Sequence, residues 1–179
     1  VMAGCKPEYL PVVLTALEAT LEERFGLYSV QATTHGCGPL VIVNGPIARE
    51  LEINGTFNAF GPCNRANATI GRAMRLILLN IGGGKPGYGD MSTQGGPSKY
   101  TYCIAENEDE NPWEPLHVEL GFPSDVSTVT VVSGESPHNY NNSWSITADG
   151  ILHTLARTVA NPGANTYLFC DGSLLIALG

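Results

Sequence analysis

The chain has 179 residues, of which 43% are hydrophobic and 15% charged; that is enough apolar surface to bury a core and too little charge for intrinsic disorder. Nine Lys and Arg against seventeen Asp and Glu leave a formal charge of −8, which argues against nucleic-acid or anionic-membrane partners, and no apolar run reaches membrane-spanning length. Five cysteines, an odd number without the dense spacing of a disulfide scaffold, predict free thiols in a reducing, cytoplasmic compartment.

Residues 6–24 predict a first helix, because Leu10, Val13, Leu14, Leu17 and Leu21 recur at helical spacing and Pro7 and Pro11 fall in the opening turns. Phe25-Gly26 closes it. Residues 27–33 alternate like a strand, and residues 40–43 predict a second one, ending at Asn44-Gly45-Pro46. A short helix is expected over residues 47–52. A second long helix, over residues 65–81, follows Asn64 as its cap and is apolar on most faces through Ile70, Met74, Ile77, Leu78 and Leu79. Residues 82–99 are glycine-rich without apolar periodicity, which predicts a functional or mobile loop. Residues 100–105 and 126–133 read as strands, residues 148–160 as a third helix, and residues 166–178 as a hairpin around Asp171-Gly172-Ser173. The expected architecture is α/β: one compact domain over residues 1–179, a mixed sheet packed with about three helices, and glycine-rich loops at the active site. Val1 at the start and the apolar run before Gly179 predict a processed or partial polypeptide, with other chain segments or subunits as partners.

Three cysteines stand among glycine or proline. Cys5 precedes the first helix beside Lys6, and Cys63 precedes the apolar helix, so peptide dipoles would favour thiolate at both. Cys37 lies in His35-Gly36-Cys37-Gly38-Pro39, where glycines clear space around sulfur and His35 is two residues away as base or proton donor. Cys5, Cys37 and Cys63 together permit an iron–sulfur cluster with one open iron, and two cysteines with His35 permit zinc, although the intervals match no compact ligand motif. Cys103 and Cys170 read as structural.

Arg65, Arg72 and Arg75 lie along one stripe of the second long helix. They predict either pairing with carboxylates such as Glu106 or Glu108, or an anion site completed by Asn64 and Asn67 at the helix N-terminus. Gly82-Gly83-Gly84-Lys85 lacks the spacing of a phosphate loop. Ser92, Thr93, Gln94 and Lys99 gather hydroxyls, an amide and an ammonium on one segment able to close over a polar ligand. His117 with Glu119, and His138 alone, are weaker acid–base candidates. The Asn-X-Ser/Thr patterns at Asn54, Asn67 and Asn141 are not expected to be glycosylated in a cytoplasmic protein.

Met2-Ala3-Gly4-Cys5-Lys6-Pro7-Glu8-Tyr9, with residues 31–46, 67–80 and 92–122, resembles the large C-terminal region of the bacterial proteins named for a UGSC motif, in which selenocysteine or cysteine adjoins Gly-Ser-Cys. This chain has no Gly-Ser-Cys element. The resemblance implies a thiol or redox protein in which Cys5 and Cys37 lie in family-like segments, and a polypeptide continuing beyond both ends. The leading expectation is a thiolate enzyme without a cofactor, using Cys37 or Cys5 with His35 as proton shuttle. It would act by redox exchange, or by covalent addition followed by elimination or hydrolysis, on a small, polar, anionic substrate. Arg65, Arg72 and Asn67 would hold that substrate, and Ser92, Thr93, Gln94 and Lys99 would cover it. The alternatives are a metal or iron–sulfur hydro-lyase and a non-catalytic subunit of a larger assembly.

Overall fold

The computed structural model describes residues 1–165 and 174–178. Pro7–Tyr9 form a 3-10 turn leading into helix α1, Leu10–Leu21, with proline near the start of each, where a missing N–H costs nothing. The buried face of α1 is Val12, Val13, Ala16 and Thr20, whereas Leu10, Leu14 and Leu21 are exposed. Spacing alone selected the leucines as the core stripe; close approach to the sheet selects the smaller residues one position away. Glu22 is extended and stops the helix at Leu21; a separate 3-10 turn, Glu23–Phe25, follows and is ended by Gly26 in the left-handed region at φ 63°. Residues 27–33 are not a strand, because helix α2, Leu27–Ala32, starts at that glycine. A six-residue segment is too short for periodicity to decide between the two, and only Val30 of α2 is buried.

Strand β1, Gly38–Asn44, is buried at every residue. It pairs in parallel with β2, Cys103–Ala105, and antiparallel with β3, Thr128–Gly134, in a mixed sheet of order β2-β1-β3. Val41 and Val43 face one core with Tyr9, Val12, Ala16, Ile70 and Met74; Leu40 and Ile42 face another with Tyr102. A central strand covered on both faces reads as an unbroken apolar run, which is what residues 40–43 offer. After β1 the chain turns at Gly45, φ 81°, where a Cβ would collide with the Val126 carbonyl, and enters the short helix α3, Pro46–Glu50.

Helix α4, Arg65–Asn80, buries Ala66, Asn67, Ile70, Gly71, Met74 and Leu78, the spacing of one helical face. Asn64 sits at the cap position, but its side chain makes no cap bond and donates instead to Asn58 O at 3.5 Å. Residues 82–99 hold only turns and the 3-10 turn Pro97–Lys99, followed after β2 by the one-turn helix α5, Leu116–Glu119. The α/β class and the mixed sheet are as the sequence predicts. Three short helices accompany the three long ones.

Contacts divide the chain into two units, Val1–Ser136 and Pro137–Gly179. The first holds the sheet and both cores. The second holds helix α6, Ala148–Val159, whose cap residue Thr147 accepts from Gly150 N; Tyr140 and Asn142 bond to it. Among the described residues no helix is long and apolar enough to cross a membrane. Of the expected hairpin, residues 166–173 lie outside the described residues, and residues 174–178 have no strand structure.

At Gly71 a Cβ would be driven onto Tyr102 N and Thr101 Oγ1, so α4 lies against the start of β2 at a distance only glycine permits. Gly71→Ala is expected to cost about 1–3 kcal/mol through overpacking, despite alanine's better helix propensity, as read by denaturant unfolding. A neutral or stabilising result would refute this packing.

Candidate functional site

Two polar clusters cap the ends of β1, and they differ in whether their hydrogen bonds are complete. At the start of β1, Asp90 is 4% exposed and ion-pairs with Arg75 at 2.5 Å and Lys99 at 2.9 Å. The Lys99 ammonium also donates to Ser92 Oγ at 2.7 Å and to the Cys37 carbonyl at 3.3 Å, which uses its three protons. Ser92 Oγ passes a bond on to His35 O at 2.8 Å, its N–H donates to Asp90, and Arg75 also donates to Gly84 O. Burial alone would raise the Asp90 carboxyl; the bonds from Lys99 and Ser92 and the charges of Lys99 and Arg75 outweigh it and hold the group below its ordinary value of 3.8. A concavity of about 10 Å³ between Gly38, Pro39, Ser98, Lys99 and Tyr102 has room for about one water molecule.

This network joins several residues that the sequence singles out, but as structure. Ser92 and Lys99 pin the glycine-rich loop to β1 instead of leaving it free to close over a ligand. Thr93 bonds to Thr34 O, and Gln94 is exposed. The His35 imidazole contacts Glu135 at 2.8 Å. The arginine stripe splits into separate roles: Arg65 donates twice to Gly4 O, Arg75 joins Asp90, and Arg72 makes no ion pair among the described residues. None of the three pairs with Glu106 or Glu108. Asn67 spends its amide on Asn54 and Ala59, so it clamps a loop and is not disposed to hold a ligand.

The cysteines are not brought into one site. Cys37 is 8% exposed, and its thiol points to the Val30 carbonyl at 3.8 Å. The Cys5 thiol donates to Thr69 O at 3.2 Å and packs on the core that contains Cys103, whose thiol is pushed up by burial and by nearby Cys5. Cys63 is exposed at φ 81°. Among the described residues no three His, Cys, Asp or Glu side chains are grouped to hold a metal, so Cys5, Cys37 and Cys63 do not assemble as cluster ligands. Cys170 lies outside the described residues.

The second cluster lies at the carboxyl ends of the parallel strands β1 and β2, the place where open α/β sheets bind ligands. Asn44, the last residue of β1, donates through Nδ2 to Glu106 Oε2 at 2.5 Å and Glu108 Oε1 at 2.9 Å. Glu106 also accepts from Leu116 N and Asn111 Nδ2, and Glu108 from Gly45 N at 2.7 Å. His117, on α5, is 1% exposed. Its Nδ1 is 3.8 Å from Glu108 Oε1, close enough for charge attraction and too far for a hydrogen bond. Among the described residues neither ring nitrogen of His117 has a hydrogen-bond partner, and neither has Asn44 Oδ1.

The sequence pairs His117 with Glu119, but two residues along a helix point to different faces, and Glu119 is exposed. The partner comes from the strand end. Sequence reasoning missed Asn44, Glu106 and Glu108. The signal was present in a polar residue closing one apolar strand and two carboxylates directly following another; it needed the parallel pairing to bring them together. His138 is exposed, in the second unit. No protein family, curated protein or solved structure matches the chain.

Two measurements check these assignments. Thiol-specific alkylation of the native chain near neutral pH, mapped by mass, is expected to modify Cys63 first and Cys5 slowly, with Cys37 and Cys103 reacting only on unfolding; fastest labelling at Cys37 would restore the thiolate reading. Because the folded-state Asp90 value is lowered, the unfolded chain binds the proton more tightly. The contribution of Asp90 is therefore complete above about pH 5 and is lost as pH falls through 3.8 and below. Asp90→Asn is expected to cost about 3 kcal/mol or more at neutral pH and to flatten the acid limb of the stability curve. An unchanged acid limb would show that Asp90 does not titrate with folding.

Proposed function

We propose that the chain carries an acid–base catalytic site, in which His117 exchanges a proton with a small polar substrate and Glu108 stabilises the imidazolium. The observation that carries this reading is an imidazole buried to 1% exposure, with both nitrogens unpaired, beside a carboxylate at the carboxyl ends of parallel strands. A buried polar group without partners costs about 1–3 kcal/mol, and a histidine used only for packing would be replaced by an apolar residue at no loss.

The chemistry follows from the donor set. When imidazole takes a proton, Glu108 Oε1 becomes the acceptor for Nδ1–H on a modest inward movement, which leaves Nε2 to face the substrate. Catalytic hydrogen bonds are commonly long before substrate binds and tighten with it. Asn44 Oδ1 is an acceptor fixed by the two carboxylates that hold its amide nitrogen. Glu106, which accepts from Asn44, Asn111 and Leu116, positions Asn44. The UGSC resemblance supplies a thiol expectation and no reaction, and the carbonyl-bonded sulfurs of Cys5 and Cys37 favour imidazole chemistry over it.

The test needs no known substrate. His117→Leu, close to isosteric, removes the unpaired nitrogens and is expected to leave stability unchanged or raise it by about 1–3 kcal/mol, since replacing an unsatisfied buried group by a matched apolar one removes a desolvation penalty. Any turnover of the parent chain is expected to fall about 10²–10⁴-fold in His117→Gln and Glu108→Gln. A large destabilisation in His117→Leu, or full activity in His117→Gln, would make His117 structural and end this reading.

A further inference from the structure

Resting on that acid–base reading, we infer that the ligand of the Asn44–Glu106–Glu108–His117 cluster presents a primary ammonium group. Glu106 Oε2 and Glu108 Oε1 lie within 3 Å of the same amide nitrogen, so two carboxylates converge on one point. Among the described residues neither is paired with a lysine or arginine; the arginine on neighbouring α3, Arg49, is engaged with Asp109 at 2.6 Å in an exposed pair. Among the described residues the ion pair made by these two carboxylates is that of Glu108 with His117, at 3.8 Å and only when the imidazole is protonated. Two like charges brought together in a partly buried position repel, and a cation placed against them removes that repulsion.

The unfilled hydrogen-bond capacity has the same sense. Asn44 Oδ1, fully buried, is an acceptor with no donor, and neutral imidazole offers one acceptor nitrogen. An anionic ligand would meet two carboxylates and too few donors. An ammonium brings three N–H groups, enough to satisfy Asn44 Oδ1, Glu108 and the imidazole together. A divalent cation needs several converging oxygen or nitrogen ligands at short range, and the described His and Glu side chains here are not so grouped. Both carboxylates are partly exposed, Glu108 with 16% of its side chain against 1% for His117, so a cation approaches from the carboxylate side and meets the imidazole behind it.

The experiment titrates the full chain with 2-aminoethanol, its neutral analogue ethylene glycol, acetate and Mg²⁺, each alone. The readouts are the His117 imidazole NMR signals, assigned by their loss in His117→Leu, and the melting temperature. The expected result is a saturable His117 shift and a raised melting temperature with 2-aminoethanol only, at the roughly millimolar affinity a ligand of a few heavy atoms reaches, weakened at least about tenfold in Glu108→Gln. A shift with ethylene glycol equal to that with the amine, or a shift with acetate, would overturn the ammonium inference while leaving the acid–base site standing. Saturation by Mg²⁺ in place of the amine would replace it with a divalent-cation site. No shift with any of the four overturns the inference, and if His117→Leu is also strongly destabilising, the acid–base reading falls with it.

Discussion

The first unit is organised by the complete burial of β1. Every residue of this seven-residue strand is buried, with both faces covered, β3 along one edge and β2 along Val41–Val43 of the other, so the polar groups at its two ends must be satisfied by the protein or by something the protein binds. The chain meets this demand differently at each end. At the start, the carbonyl of Cys37 receives Lys99, Lys99 is held by Asp90 and Ser92, and Asp90 is shared with Arg75. At the finish, the Asn44 amide nitrogen is taken up by two carboxylates while its oxygen and the neighbouring imidazole are left without partners.

That contrast separates structure from function more sharply than residue type does. A buried charged network rigidifies what it joins; this one, with the three ammonium protons of Lys99 placed, ties α4, the glycine-rich loop and the entrance to β1 into one piece. Lysine, serine and arginine around a shared carboxylate look like reactive machinery in a sequence, yet each of these groups is occupied. Arg75 and Lys99 together outnumber Asp90 by one charge, but with the ammonium protons all placed, the surplus does not make an open anion site. The histidine end has fewer residues and less apparent chemistry, and it holds the capacity that folding does not use.

Much of the fold was legible in the sequence, because the signals for it are local. The two long helices of the first unit, α6, the turn at Asn44-Gly45-Pro46 and the apolar central strand follow from spacing, proline and glycine placement and β-branched runs. Residues 27–33 read as a strand because seven residues fit either period, and the α1 core stripe is displaced because leucine outranks alanine and threonine in hydrophobicity while the sheet accepts only the smaller ones. The site was less legible. Cys5, Cys37 and Cys63 were singled out by their glycine and proline neighbours, a feature that describes backbone freedom and says little about what sulfur will touch. In the fold, Thr69 and Val30 supply carbonyls to two of them. Asn44 lies about 60 residues from Glu106 and Glu108 in the chain, and only the parallel register Val43↔Ala105 brings them together. No local pattern carries that information.

The unpaired imidazole is the feature a purely structural account leaves without a cause. A leucine at position 117 would fill a similar volume in the same buried position and would carry no desolvation cost. Proteins retain such groups where a stable arrangement and a useful one differ, holding a titratable side chain poised at the expense of some stability. His117 stands one residue after an N–H that Glu106 fixes and 3.8 Å from the carboxylate that also receives the Gly45 N–H. The backbone on both sides of the cluster is therefore bonded to its two carboxylates, one of which faces the imidazole. An isolated packing defect would not be expected to have its neighbours held so firmly; a site that must present one nitrogen to a ligand in a reproducible position would.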